Sequence, residues 1–151
     1  MKVLLGIGNP LARDDGVGVW VAENFRKKGW FSFPARQAPE NVIGKIARIR
    51  PVLLVAVDAV EMGLEPGEFR RLLPERDRGL WGSTHSLPLW ALLKRCVPPS
   101  GTIVFLGIQP KDLSLGEGLS PEVEAGARRL LRLLLREELN AIPQLEPEEG
   151  E

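Results

Sequence analysis

Pro51-Val52-Leu53-Leu54-Val55-Ala56-Val57-Asp58 is the stretch on which the fold turns. Its six consecutive apolar residues, Val52 to Val57, show no alternation. A strand that is apolar on both faces belongs in the middle of a parallel sheet covered by helices on each side. Asp58 stands just past the carboxyl end of that strand. A polar group there needs a partner or water, because burying it unsatisfied is costly.

The pattern repeats outward from this run. Val3 to Ile7 reads as a second buried strand and stops at Gly8-Asn9-Pro10. A helix follows with Val17, Trp20, Val21 and Phe25 on one face, and Gly29 ends it. Asp14 and Asp15 precede that helix, where its dipole favours negative charge. Phe31 to Phe33 begins another strand, and Pro39-Glu40-Asn41 leads into a short helix with Val42, Ile43, Ile46 and Ala47 on one side. The turn Glu65-Pro66-Gly67 opens an edge strand, Glu68 to Leu73, whose Arg70 and Arg71 discourage further pairing. Ser86 caps a helix that turns Leu89, Leu92, Leu93 and Cys96 inward, and Thr102 to Ile108 is a further apolar strand. Ser120-Pro121-Glu122 starts the last helix, with Val123, Ala127, Leu130, Leu131 and Leu134 beneath.

Strands alternating with helices predict an α/β fold: one three-layer α/β/α domain over residues 1–142, with a mostly parallel central sheet and an antiparallel edge strand. Residues 143–151 carry four glutamates and read as a disordered acidic tail. The chain has 151 residues and 44% hydrophobic content, enough for one core. Twenty basic residues balance twenty acidic ones without a clustered basic stripe, which argues against a nucleic-acid partner. No apolar run approaches the ~20 residues of a membrane span, and Met-Lys-Val-Leu-Leu-Gly is too short for a secretory signal, so a cytoplasmic protein is expected. Cys96 is the sole cysteine, which excludes an internal disulfide and a thiolate metal cage.

His85 is the only histidine. With Asp15 and Asp58 it makes an imidazole and two carboxylates, the outline of a first-row metal site. Ligands of α/β sheets bind beyond the carboxyl ends of the strands, where both aspartates fall; His85 lies at a helix entrance. The spacing permits the three to meet and does not force it. Each also has a plainer reading: Asp14 and Asp15 as helix-start anions, Asp58 as a turn cap, His85 as a cap or surface residue. Cys96 lies eleven residues beyond His85, roughly 16 Å along a helix, and falls on its apolar stripe, so it reads as core rather than nucleophile. The third glycine of the dinucleotide fingerprint, the Walker lysine and the Gly-x-Ser-x-Gly elbow are all missing.

Gly-Ile-Gly-Asn-Pro-Leu-Ala-Arg-Asp-Asp-Gly-Val-Gly, Ala-Pro-Glu-Asn, Val-Asp-Ala-Val-Glu-Met-Gly-Leu-Glu-Pro-Gly-Glu, Ser-Thr-His-Ser-Leu-Pro-Leu and Phe-Leu-Gly-Ile-Gln-Pro together resemble the hydrogenase maturation endopeptidases. The version with Ala-Pro-Glu-Asn is most similar to those serving the hydrogenase of formate hydrogenlyase. The resemblance implies a protease that removes a short C-terminal peptide from the large-subunit precursor of a nickel–iron hydrogenase after nickel insertion. It carries over Asp15, Asp58 and His85 as catalytic and metal-reading residues, with nickel recognised in the precursor rather than retained. Many members have Asp-Gly-Gly before the second helix; Pro34-Ala35-Arg36-Gln37 stands here, so no role of that aspartate transfers. Asp14 is read as a neighbour of the site or a general base, and Gly6, Gly8 and Gly16 as points of close backbone approach. Two rival readings are a non-catalytic nickel-sensing module and a peptidyl-tRNA hydrolase-like enzyme, whose opening Gly-Ile-Gly-Asn-Pro also resembles.

Overall fold

The apolar run that dominates the sequence forms the central strand β3, Leu53–Ala59, and Leu54 to Val57 lose all contact with solvent. The computed structural model describes residues 1–36, 40–73 and 87–146. In chain order the strands are β1 (Lys2–Gly6), β2 (Trp30–Pro34), β3, β4 (Phe69–Leu72) and β5 (Thr102–Ile108). The helices are α1 (Val17–Asn24), α2 (Glu40–Ile49), α3 (Leu87–Cys96) and α4 (Pro121–Leu135). A 3₁₀ turn, Arg13–Gly16, precedes α1.

The five strands lie in the order β2-β1-β3-β5-β4. All neighbours are parallel except β4 and β5, so the edge strand runs antiparallel as its sequence suggests. Successive side chains of a strand point to opposite faces, and the core divides accordingly. Leu4, Val55, Val57 and Leu106 pack with Val17 and Val21 of α1 and Leu130 and Leu134 of α4. Val3, Leu5, Leu54, Ala56 and Phe105 pack with Ile46 of α2 and Leu93 and Cys96 of α3. The result is one domain of three layers. Among the described residues no helix is long and apolar enough to cross a membrane.

Several boundaries differ from the sequence reading. Val52 is 51% exposed and precedes β3, whereas Asp58 lies inside the strand, in register with Gly107 of β5. The backbone ladder carries the strand past the point where apolar side chains stop. Leu92 is exposed rather than inward, because the inner face of α3 is already filled by Leu89, Leu93 and Cys96. Ser120 stands at the N-cap of α4 but makes no capping bond; its hydroxyl donates to Asp14 instead. Pro143 to Leu145, assigned by sequence to the disordered tail, lie along β4. The Arg71 N–H donates to the Pro143 carbonyl, the Leu145 N–H donates to the Arg71 carbonyl, and the Arg71 guanidinium reaches the Ile142 carbonyl. An edge strand leaves a row of backbone groups open, and this segment covers part of it.

Candidate active site

From β1 the chain crosses to β2 on one side, whereas from β3 it proceeds towards β5 and β4 on the other. Loops leaving these two adjacent strands diverge, and a crevice opens at the switch point between them. Asp15 hangs over it from the 3₁₀ turn after β1, and Asp58 comes up from the end of β3. The approach is close because α1 rides directly on the strand ends. A Cβ on Gly18 would collide with the carbonyl oxygens of Val57 and Ile7, and one on Gly6 with the carbonyl of Gly18. Gly8 adopts φ +140°, which only glycine takes readily, and a Cβ there would collide with the Asp15 carbonyl. Sequence reading singles out Gly6, Gly8 and Gly16 for such contacts but misses Gly18.

Asp15 is half-buried, and its Oδ2 accepts the Asn9 N–H at 3.0 Å. Asp58 is 2% exposed and accepts the Ala59 N–H at 2.8 Å. Burial pushes the Asp58 carboxyl well above its ordinary range, the negative charge of Asp15 pushes it further, and the Ala59 hydrogen bond only partly opposes them. The two carboxylates therefore feel one another across the crevice.

Asp14, their neighbour, faces elsewhere. It is wholly buried, and its oxygens accept the Ser120 N–H (2.7 Å), the Ser120 hydroxyl (2.7 Å), the Asp112 N–H (2.8 Å) and the Lys111 N–H (2.9 Å). Burial is the largest single influence and raises its pKa. The donors, the Ser120 N–H foremost, together outweigh burial and hold the carboxyl below the usual range. With both oxygens filled from inside the protein, Asp14 is not the general base that sequence allowed.

Gln109 was not singled out by sequence. It is 4% exposed and directly follows β5. Its Oε1 accepts the N–H groups of Met62 and Leu64, and its Nε2 donates to the Pro110 carbonyl and to Glu61. Gln109 thereby fixes the loop that leaves β3 just after Asp58. The signal that identifies Asp58, a polar residue at the end of an apolar strand, is present in Phe-Leu-Gly-Ile-Gln-Pro as well.

His85 and Ser86 lie outside the described residues. Among the described residues no three His, Cys, Asp or Glu side chains come together to hold an ion. The segment Pro34-Ala35-Arg36 docks by its backbone: the Ala35 N–H donates to the Gly6 carbonyl and the Gly8 N–H to the Arg36 carbonyl, while the Arg36 guanidinium pairs with Glu23 at 3.6 Å. Cys96 is buried at the end of α3 that leads into the start of β5, the opposite end of the sheet from the acids. Burial raises its thiol pKa, and its Sγ contacts the Leu92 carbonyl at 3.4 Å.

Comparison with known proteins agrees with this architecture. A family model described as HycI, hydrogenase maturation protease, matches residues 35–137. The hydrogenase 3 maturation protease of Escherichia coli K12 is 40% identical over 112 residues, covering 72% of each chain. A crystal structure of the hydrogenase 3 maturation protease superposes with a TM-score of 0.85 at 33% identity and covers 97% of both chains. The HycI protease of Thermococcus kodakarensis KOD1 gives a TM-score of 0.75 at 34% identity, over 89% of this chain and 90% of that one. Neither a peptidyl-tRNA hydrolase nor a non-catalytic sensor accounts for these matches. An α/β domain with a paired-acid crevice at its switch point, matched along its length by these peptidases, belongs to the hydrogenase maturation protease family, and the chain is an endopeptidase of that family.

Proposed function

We propose that this endopeptidase removes a short C-terminal peptide from the large-subunit precursor of a nickel–iron hydrogenase, in the cytoplasm, after nickel has been inserted, and that Asp15, Asp58 and His85 read that nickel. The observation that carries the reading is the Asp15–Asp58 pair. Two carboxylates share one crevice, and the buried one is disfavoured as an anion both by burial and by its partner's charge. A divalent cation entering between them reverses that penalty and draws both into the charged form. His85 supplies the third donor in this reading, and an imidazole with two carboxylates suits a borderline first-row ion.

The nickel arrives with the precursor and is part of the substrate. A crevice that pays to assemble two negative charges holds a free ion weakly and gains its full affinity from an ion already seated in a protein surface. Nickel so gripped supplies Lewis acidity to polarise the scissile carbonyl or a water. The chain's own contribution is placement: Asn9 orients Asp15, Ala59 orients Asp58, and Gln109 fixes the loop beside them. Cys96 takes no part.

The test is incubation with nickel-loaded and nickel-free precursor followed by intact-mass measurement of the products. Cleavage confined to the loaded precursor is the expected result. Equal cleavage of both, or full activity in His85→Ala, refutes nickel reading by this triad.

A further inference from the structure

We propose that Asp14 is a positioning residue of the reaction, which sets where Asp15 stands over the crevice by gathering the β5–α4 loop around the turn that carries both. The inference rests on the reading of Asp15 and Asp58 given above.

Three observations carry it. First, the four hydrogen bonds on the Asp14 carboxylate all come from the loop over Lys111, Asp112 and Ser120, about a hundred residues away in sequence. Main chain reinforces them: the Asp14 N–H donates to the Asp112 carbonyl, the Arg13 N–H to the Gly116 carbonyl, and the Gly116 N–H to the Leu11 carbonyl. The loop thus closes round the turn.

Second, the turn does not hold its shape unaided. Arg13 sits in the left-handed region at φ +47°, a conformation that costs a non-glycine residue free energy and persists only where surroundings impose it. The Arg13 guanidinium is itself engaged by the loop, donating to the Glu117 carbonyl at 3.3 Å.

Third, Asp14 and Asp15 are consecutive in one short 3₁₀ turn, in which successive side chains point about a third of a turn apart. Rotating one therefore rotates the other. On its far side, among the described residues, Asp15 is tied more lightly, by the Asn9 N–H to its carboxylate and by its own N–H to the Ala12 carbonyl. The cluster of donors also demands a carboxylate. An amide in its place would turn an NH₂ group towards N–H and O–H donors.

The test compares Asp14→Asn, Ser120→Ala and Leu134→Ala on nickel-loaded precursor, with unfolding curves for each. Leu134 is a buried α4 residue near that helix's far end and serves as the stability control. Asp14→Asn is expected to lower kcat/KM about 10- to 100-fold, the scale of a misplaced reacting group. Ser120→Ala, which removes one donor, is expected to lower it about two- to fivefold. Leu134→Ala should stay within about twofold while the protein remains folded.

A double-mutant cycle separates positioning from mere stability. In an Asp15→Asn background, measured by its residual single-turnover rate, Asp14→Asn should cost no further rate, because it acts through Asp15. Full additivity overturns the proposal, as does a folded Asp14→Asn that cleaves within about twofold of the parent. If Asp14→Asn fails to fold, an unchanged kcat/KM in Ser120→Ala overturns it. Asp15→Asn with full activity sinks the reading of the acidic pair itself, whereas loss in Asp15→Asn beside normal activity in Asp14→Asn sinks only the positioning role.

Discussion

Two buried carboxylates lie at the same end of this sheet and are treated in opposite ways. Asp14 receives four donors and is held charged, below the usual carboxylate range. Asp58 is buried as deeply, faces the charge of Asp15, and is driven well above that range. The difference separates a group that places its neighbours from a group open to an incoming charge. A carboxylate whose oxygens are all filled from within acts by holding the segments around it in position; one whose charge is opposed by its surroundings is poised to gain from an incoming cation. Asp14 and Asp58 would look alike in any survey of buried acids, and only their partners tell them apart.

The sharpest way to break this contrast is to remove the acids on the crevice. Asp58→Ala and Asp15→Ala are each expected to lower precursor processing by about a hundred- to a thousandfold, the scale of removing a group that acts on developing charge. Circular dichroism should remain that of the parent. Processing at a tenth of the parent rate or better in either variant would place the reacting centre elsewhere.

Stability should respond in the reverse order. Asp14→Ala leaves several donors facing a small cavity and is expected to cost about 3 kcal/mol, or about 6 to 12 °C in melting temperature for a domain of this size. Asp58→Asn keeps the shape and removes the ionisation penalty, so at neutral pH without metal it should be neutral or stabilising by about 1 kcal/mol.

The pH dependence follows the same division. For Asp14 the folded pKa is depressed, so its contribution is present above the unfolded value of about 3.9 and is lost as pH falls through the lower folded value. For Asp58 the folded pKa is raised. Its carboxyl is protonated in both states below about pH 3.9, and stability is lost as pH rises from there through the folded value. Denaturant titrations in EDTA should therefore show the advantage of Asp58→Asn growing from acid towards neutral pH, and the deficit of Asp14→Asn shrinking towards acid. Parallel curves for the two variants would mean that the acids do not differ in kind.

Sequence shows one half of this contrast and hides the other. The strands are legible because a run such as Val52 to Val57 has no polar face, and Asp58 is legible because it interrupts that run. Asp14 and Asp15 are indistinguishable as neighbours, since both are acids ahead of a helix. Which one turns inward depends on a loop that arrives about a hundred residues later, and hydrophobic period carries no information about that meeting. The same limit explains Pro143 to Leu145, whose glutamate-rich context reads as a tail although their backbone pairs with Arg71. Gln109 obeys the same rule as Asp58, a polar residue at the end of an apolar strand, but an uncharged amide carries no sign in the sequence of the loop it holds. His85, the third donor of the proposed function, is singled out by sequence only as the chain's sole imidazole and lies outside the described residues.

The smallest expected effect belongs to the remaining nucleophile candidate. Cys96 is 3% exposed, lies on the inner face of α3 beside Leu93, and sits at the end of the sheet away from Asp15 and Asp58. Burial raises its thiol pKa, which lowers the thiolate fraction at neutral pH and with it any reactivity. A serine hydroxyl at that position can reach the Leu92 carbonyl four residues earlier, where Sγ already lies, so the substitution should cost no more than about 1 to 2 kcal/mol. Cys96→Ser is therefore expected to process nickel-loaded precursor within about twofold of the parent, and iodoacetamide should label the folded parent far more slowly than the denatured chain. If Cys96→Ser abolishes cleavage while remaining folded, a thiol has entered the chemistry, and the proposed division between a reacting acidic crevice and an inert core is wrong.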